Sequence, residues 1–261
     1  MKSTPLAGRG AVVTGGGRGI GAAIARALAE AGASIVVSAR SAEEIEAVAV
    51  SLRAFDARAW SVVGDVTDEA SVRRLGEEAR RHLGGVEILI NNAGDAASAP
   101  LSKMTLAEWN RMLAVNATGT FLCTREFAPE MVARGRGRIV NIASTAGLEG
   151  GRYIAHYSAA KHAVIGFTRS IAMELADRGV TVNAVCPGYA DTPLTERTVQ
   201  DVSKHTGLDA AGAVAAMLAT SGQARLVTPE EIAAEVRRLC LDEAAGTTGR
   251  TIVLDGGSTT R

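Results

Sequence analysis

Tyr157 and Lys161 stand four residues apart in Tyr157-Ser158-Ala159-Ala160-Lys161. On a helix this spacing puts both side chains on one face about one turn apart, so the ammonium can sit under the phenol. A free tyrosine keeps its proton up to a pKa near ~10, and a nearby cation favours the phenolate, so the pair is predicted to exchange a proton near neutral pH. On an exposed helix the same two residues would only solvate a face. Three other stretches add chemistry. Thr14-Gly15-Gly16-Gly17-Arg18-Gly19-Ile20-Gly21 follows the apolar run Ala11-Val12-Val13, Asn91-Asn92-Ala93-Gly94 follows Ile88-Leu89-Ile90, and Ser144 ends the run Ile139-Val140-Asn141-Ile142-Ala143. Glycines between a strand and a helix let a phosphate approach backbone N–H groups at the helix's positive end, although they also serve as a plain tight connection. The Asn amides both donate and accept, and the Gly permits close approach, which suits a wall against a ligand as well as an ordinary turn.

The elements that must position these residues alternate. Apolar runs predict strands at 11–14, 34–38, 60–63, 86–90, 138–143, 180–186 and 251–254. Helical spacing fills the gaps: Ile20, Ile24 and Leu28 recur at intervals of four, and helices are predicted from Ser41 towards Phe55, over 68–82, 105–134 and 155–178, and from Thr228 to about Leu241. Ser41 with Glu44, Thr105 with Glu108 and Thr228 with Glu231 read as capping boxes. Asn116 is out of place on the apolar side of its helix, so it either caps a local irregularity or holds water. From 191 to 227 the pattern loosens into an irregular region with a short helix over 213–218. This alternation predicts an α/β fold: a parallel seven-stranded sheet covered on both faces, with ligands outside the carboxyl ends of the strands. Thr14, Ser38, Asp65, Asn91, Ser144 and Pro187 all fall at or just after strand ends.

With 47% hydrophobic residues, the 261-residue chain can bury a large core, and 1–261 reads as a single domain. The 28 basic and 28 acidic residues cancel without a block of either sign, so neither nucleic acid nor an anionic membrane is expected as a partner. Small-molecule chemistry remains. Cys123, Cys186 and Cys240 are far apart in apolar contexts, as reduced packing residues of a cytosolic protein would be. Residues 1–7 lack the apolar core of a secretory signal and no run reaches ~18 apolar residues, so a soluble, cytoplasmic protein is expected. His82, His156, His162 and His205 have no ligand-type spacing, and no metal is expected.

The order TGxxxGxG (Thr14 to Gly21), NNAG (Asn91 to Gly94), a helix Asn (Asn116), Ser144, YxxxK (Tyr157 and Lys161) and PGxxxT (Pro187-Gly188 to Thr192) resembles the short-chain dehydrogenase/reductase family over nearly the whole chain. The resemblance implies a Rossmann-type doubly wound fold and reversible hydride transfer between a nicotinamide and a carbonyl or secondary alcohol. It implies that Tyr157 donates the proton, Ser144 hydrogen-bonds the same oxygen, Lys161 stabilises the phenolate and holds the nicotinamide ribose, and Asn116 holds a water on the proton path. Cofactor contacts are implied at Thr14, Gly15, Arg18, Gly19, Ile20 and Gly21, at Ala39 and Arg40, and at Asp65 and Val66 by the adenine ring. Asn91, Ala93, Gly94, Tyr157, Lys161, Pro187, Gly188 and Thr192 complete the set. Asp65 reads equally as a turn carboxylate capping its own loop.

NAD-specific members of the family place an Asp where Ala39 stands, and Arg18 with Arg40 offers two cations for a 2′-phosphate, so NADP(H) is expected ahead of NAD(H). Family habit also implies a homotetramer packed through the two long helices, and a lid over about 191–227. Leu194, Val199, Ala215, Met217 and Leu218, with Leu148, Tyr153 and Tyr189 opposite, are the expected apolar lining, and no charge stands out as a clamp for a small acid. Arg152, Arg197, Lys204 and Arg225 are available at the rim for a phosphate-bearing carrier. A 3-oxoacyl thioester, on coenzyme A or acyl carrier protein, is therefore the expected substrate. The alternatives are another secondary alcohol or hydroxy acid, a non-catalytic nucleotide-binding regulator, or a sugar-nucleotide epimerase or dehydratase, whose glycine spacing is TGxxGxxG.

Overall fold

Ala11 and Val13 face one side of the first strand and Val12 the other, and Ile35/Val37 against Val36 and Ile88/Ile90 against Leu89 repeat that alternation. A sheet apolar on both faces requires helices on both sides. In the computed structural model, which describes residues 4–54 and 57–257, this is the arrangement. The strands are β1 (Gly10–Thr14), β2 (Ser34–Ala39), β3 (Ala59–Val63), β4 (Ile88–Asn91), β5 (Gly137–Ile142), β6 (Val180–Pro187) and β7 (Thr251–Leu254). All pair in parallel, in the order β3-β2-β1-β4-β5-β6-β7. The chain reverses its direction of winding between β1 and β4, so the connections leaving their carboxyl ends diverge and open a crevice there.

Helices α1 (Gly19–Glu30), α2 (Ala42–Arg53) and α9 (Pro229–Cys240) cover one face with Ile24, Leu28, Ile45, Leu52, Val236 and Leu239. Helices α3 (Glu69–Leu83), α5 (Gly119–Arg134) and α6 (Ala155–Leu175) cover the other with Leu75, Leu122, Phe127, Met131 and Ala172. Full burial of one such Leu, Ile or Phe contributes roughly 1.5–3 kcal/mol, so these stripes rather than helix propensity hold the helices in place. Their starts are written locally. Asp68 accepts from the N–H groups of Ala70 and Ser71 to begin α3, and Thr228 with Glu231 forms a reciprocal capping box behind Pro229 at the first turn of α9. At α2 the expected box is half made: Ser41 accepts from the Glu44 N–H, but the Glu44 carboxylate turns to Arg18. The predicted extension of α2 to Phe55 lies outside the described residues.

Two expectations need correction. The predicted helix over 105–134 is α4 (Leu106–Leu113), a π-helical turn over Ala114–Thr118, and α5. The turn is centred on Asn116, whose amide is the cause of the break in register. The region 191–227 is not irregular: α7 (Pro193–Thr206) and α8 (Ala210–Ser221) fill most of it. Thr192 caps α7 through the Thr195 N–H, Asp209 caps α8 through the Gly212 N–H, and left-handed Gly207 and Gly222 end the two helices. α8 is rich in alanine with a glycine inside it, and α7 carries only Leu194, Val199 and Val202 as large apolar residues, so neither writes a broad apolar stripe and the sequence reads as loose. Val199, Ala213 and Met217 pack into an apolar cluster of their own between these two helices. Gln223 then ties the end of α8 back to the β6 exit, accepting from the Tyr189 N–H and donating to the Tyr189 carbonyl.

Candidate active site

The crevice at the carboxyl ends of the strands is a cleft of about 520 Å³. Its floor begins at the turn between β1 and α1. Gly15 has φ +63°, and a Cβ on Gly21 would collide with the Gly15 carbonyl oxygen, so only glycine lets α1 start this close to the strand. Arg18, at the N-cap, makes no side-chain cap bond. The positive end of α1 therefore points its N–H groups at the cleft, the arrangement that a dinucleotide's pyrophosphate fits. Gly19, Ile20, Ala93 and Gly94 line the same floor. Thr14 and Asn91 do not. Thr14 is buried and clips two loops together, donating its hydroxyl to the Ile90 carbonyl while accepting from the N–H groups of Asn92 and Ala93. Asn91 spends its amide on Thr124 and Asn141 inside the sheet. The neighbouring Asn92 reaches the cleft wall instead and holds the Thr14 and Gly15 carbonyls.

At the far end from Tyr157, Ala39 and Arg40 leave β2 and Asp65 and Val66 leave β3 on the cleft rim. Asp65 accepts from the backbone N–H and hydroxyl of Thr67, so the turn-capping reading describes its carboxylate. Those bonds and the Arg40 guanidinium hold it below its ordinary pKa against the opposing effect of burial. Arg18 pairs with Glu44 at 3.0 Å.

At the other end the four residues expected to handle the proton come together from β5, α6 and the π-turn, and all line the cleft. Ser144 leaves β5 in an extended conformation, its hydroxyl accepting from the Ala146 N–H. Tyr157 lies beside it on the first turns of α6. Burial raises the phenol pKa, and the Ser144 hydroxyl draws it partly back. The net shift of the phenol is upward, so the expected proton exchange near neutral pH is not met in this arrangement. The Lys161 ammonium donates to the Ile142 carbonyl at 2.8 Å and sits 5.7 Å from the centre of the tyrosine ring, while burial lowers its own pKa from 10.5 to about 8. Asn116 sits in the local irregularity: its amide donates to the Met112 carbonyl at 3.1 Å and to the Asp95 carbonyl at 2.9 Å, and accepts from the Asp95 N–H at 3.3 Å. A π-turn at a site of this kind is a frequent device for aiming one side chain out of helical register. His156, fully buried, and Tyr153, 60% exposed, do not line the cleft.

Comparison with known proteins gives the same family as the motifs. Residues 9–203 match the family model for short chain dehydrogenase. A cis-4-hydroxycyclohexanecarboxylate dehydrogenase of Sinomonas cyclohexanicum is 42% identical over 97% of this chain and 98% of its own. A 3-oxoacyl-[acyl-carrier-protein] reductase of Synechocystis is 40% identical over 97% and 98%. Among solved structures, a variant of actinorhodin polyketide ketoreductase with NADPH superposes with a TM-score of 0.93 at 34% identity, over 99% of this chain and 100% of that one. The chain is a short-chain dehydrogenase. It is thereby an oxidoreductase that works with a nicotinamide dinucleotide.

In this short-chain dehydrogenase the cleft is roofed from the β6 side. Pro187 and Gly188 end β6, Thr192 caps α7, and Leu194, Thr195 and Arg197 look in from its first turns. Of the expected apolar lining only Leu194 is there; Val199 on α7 and Met217 on α8 pack in the cluster between those helices, and Ala215 is exposed. The rim arginines also change meaning, because Arg225 is taken by Glu231. Sequence reasoning missed Asp95 and Arg111, both in the cleft wall, and placed Arg197 only at the rim. Arg111 and Arg197 share the Asp95 carboxylate, at 2.6 and 3.3 Å. Asp95 directly follows the Asn-Asn-Ala-Gly wall, and Arg111 lies five residues before Asn116, the repeat of the π-turn. Those two placements were the available signal. Among the described residues no cluster of His, Cys, Asp or Glu could hold a metal ion, and no helix is long and apolar enough to cross a membrane.

Proposed function

We propose that the chain reversibly reduces 3-oxoacyl thioesters, carried on coenzyme A or an acyl carrier protein, with NADPH preferred over NADH. The observation that carries the reading is the convergence of the Ser144 hydroxyl, the Tyr157 phenol and the Lys161 ammonium on one cleft with the α1 terminus. When bound, the nicotinamide exchanges a hydride with the carbonyl carbon. Tyr157 gives its proton to the carbonyl oxygen, and Ser144 donates a hydrogen bond to the same atom. A phenol held above its ordinary pKa by burial is in the protonated form that reduction needs. Lys161 then stabilises the phenolate left behind, and Asn116 keeps the wall beside it in register. Thioesters are favoured by the acyl-carrier-protein reductase and polyketide ketoreductase among the relatives. Ala39 where a ribose-binding Asp would stand, with Arg18 and Arg40 on the rim, supports NADPH. Exposed Phe121 on α5 and Met173 on α6 support assembly into a homotetramer through those helices, and three buried free cysteines suit the cytoplasm. The deciding experiment compares kcat/KM for acetoacetyl thioesters with free ketones of similar size under NADPH. The thioesters should win by at least ~10-fold, and equal turnover would show that the carrier contributes no binding energy to the transition state.

A further inference from the structure

The charged groups of the cleft wall divide into two sets of unlike balance. By the nucleotide end, Arg18 and Arg40 are matched by Glu44 and Asp65. By Tyr157, the cations Lys161, Arg111 and Arg197 face a single anion, Asp95. Lys161 is enclosed and committed to the Ile142 carbonyl. The two arginines are not enclosed: their side chains are 51% and 56% exposed, against 24% for the carboxylate between them. Arg111 donates from α4 to one Asp95 oxygen and Arg197 donates from α7 to the other. Each guanidinium carries five N–H donors and commits one of them to Asp95. Other groups bearing on Arg111 leave this balance intact. Glu108 is committed to the backbone and hydroxyl of Thr105 at the start of α4, and burial holds His156 towards its neutral form. Asp95 itself is fixed through its backbone to Asn116, and its charge is felt at the Tyr157 phenol, which places the trio at the reacting end of the cleft.

We propose that Arg111 and Arg197, whose resting counter-ion is Asp95, form a subsite that selects substrates carrying an anionic group, either a carboxylate on the reacting molecule or the phosphate of a pantetheine arm. The assignment rests on the hydride-transfer reading of this cleft and adds to it the charge of the substrate. Two guanidinium groups converging from opposite walls present the fork geometry that carboxylate and phosphate oxygens accept.

The test uses one ketone in four forms with NADPH: acetoacetate, ethyl acetoacetate, the acetoacetyl thioester of N-acetylcysteamine, and acetoacetyl-coenzyme A. Arg111→Gln and Arg197→Gln should each lower kcat/KM for the anionic form by about 10- to 100-fold, mainly through KM, the range expected for one lost charge-assisted hydrogen bond. The neutral forms should change by less than about 3-fold. Loss with acetoacetate assigns the subsite to a carboxylate, and loss confined to the coenzyme A thioester assigns it to the phosphate. Asp95→Asn keeps the backbone bonds to Asn116 and removes the resident anion, so it should act in the opposite direction and lower KM for the anionic form. A variant that merely loosened the fold would not produce opposite signs. Equal losses on charged and neutral forms, or tighter KM for neutral forms in the unaltered protein, overturn the proposal. If acetoacetate is reduced in an Arg197-dependent way while neither thioester is, the thioester reading fails and the subsite stands. For a protein that reduces none of the four, calorimetric titration of the NADP⁺-loaded chain with 3-hydroxybutyrate and with coenzyme A decides: Arg197-dependent binding of either supports the subsite, and no binding of both removes it.

Discussion

The nucleotide end and the reacting end of the cleft are assembled on different sequence scales. The first is built mostly by one contiguous piece, from Gly15 in the turn after β1 to Glu44 in α2, with Asp65 and Val66 added from the next strand exit. The second gathers Asp95, Arg111, Asn116, Ser144, Tyr157, Lys161 and Arg197 from six separate segments. Local geometry can enforce the first, since the glycine turn and the α1 terminus follow from residues a few positions apart. Only the sheet enforces the second. The carboxyl ends of β4, β5 and β6 must be in register before Ser144 meets Tyr157, so the reacting end depends on the global fold in a way the nucleotide end does not.

Tyr157→Phe separates the two ends with the largest effect. It keeps the ring in its packing and removes the only proton-bearing atom, so turnover should fall by about 10²–10⁴-fold while affinity for the dinucleotide stays within about 2-fold. Stopped-flow turnover and fluorescence titration of NADPH measure the two arms. Near-normal turnover would remove Tyr157 from its role, and lost NADPH binding would show that the two ends are not separable.

Lys161→Met tests what the reacting end costs the fold. Burial lowers this lysine from 10.5 to about 8, which corresponds to a penalty on the order of 3 kcal/mol for keeping the charge inside, less roughly 1 kcal/mol for the bond to the Ile142 carbonyl. The folded pKa is depressed, so the folded chain binds fewer protons than the unfolded one between about pH 8 and 10.5. The penalty is therefore complete below pH 8, shrinks as pH rises through that window and vanishes above it. In the cofactor-free protein the Met variant should be more stable than the parent by about 2 kcal/mol at pH 7, with the difference closing towards pH 10.5, while reduction is lost. Urea unfolding at three pH values checks it. A Met variant less stable at pH 7 would mean that the ammonium is better solvated than its surroundings indicate. The parent's reduction rate should also decline above about pH 8, as the cation that stabilises the phenolate is lost.

The same contrast of scales explains what could be read from the sequence. Strand and helix identities were legible because apolar runs and capping residues such as Thr105 and Thr228 are local signals. The catalytic candidates were legible because their motifs sit at strand exits. Asp95 and Arg111 were not, since nothing local shows that an aspartate after a turn and an arginine on a helix share a carboxylate with a third segment. Asn91 and Asn92 show the limit within one motif. Adjacent residues at a strand end point to opposite sides, so Asn91 enters the sheet network with Asn141 and Asn92 holds the cleft wall. Helix α7 was missed, and α8 was read only as the short helix over 213–218, because their stability lies in a private apolar cluster rather than in a stripe facing the main core.

The smallest expected effect sharpens the nucleotide end. Arg18 is held by Glu44 in an ion pair whose side chains are 59% and 39% exposed, and such a pair contributes roughly 0.2–1 kcal/mol. A 2′-phosphate competing for Arg18 must give up that contact, whereas NADH, lacking the phosphate, need not disturb it. Glu44→Gln removes the competitor and leaves the Ser41 cap intact, because the bond there is made by the Glu44 backbone N–H. The ratio of kcat/KM for NADPH over NADH should therefore rise by about 1.5- to 5-fold, the amount that frees one exposed guanidinium. Arg40→Ala in the same background should lower the ratio, since Arg40 is the second cation on that rim. An unchanged ratio in Glu44→Gln would mean that Arg18 does not read the phosphate, leaving Arg40 alone to set the preference. A ratio that falls would mean that Glu44 orients Arg18 for the phosphate rather than occupying it, and the two ends of the cleft would then use their carboxylates in opposite ways.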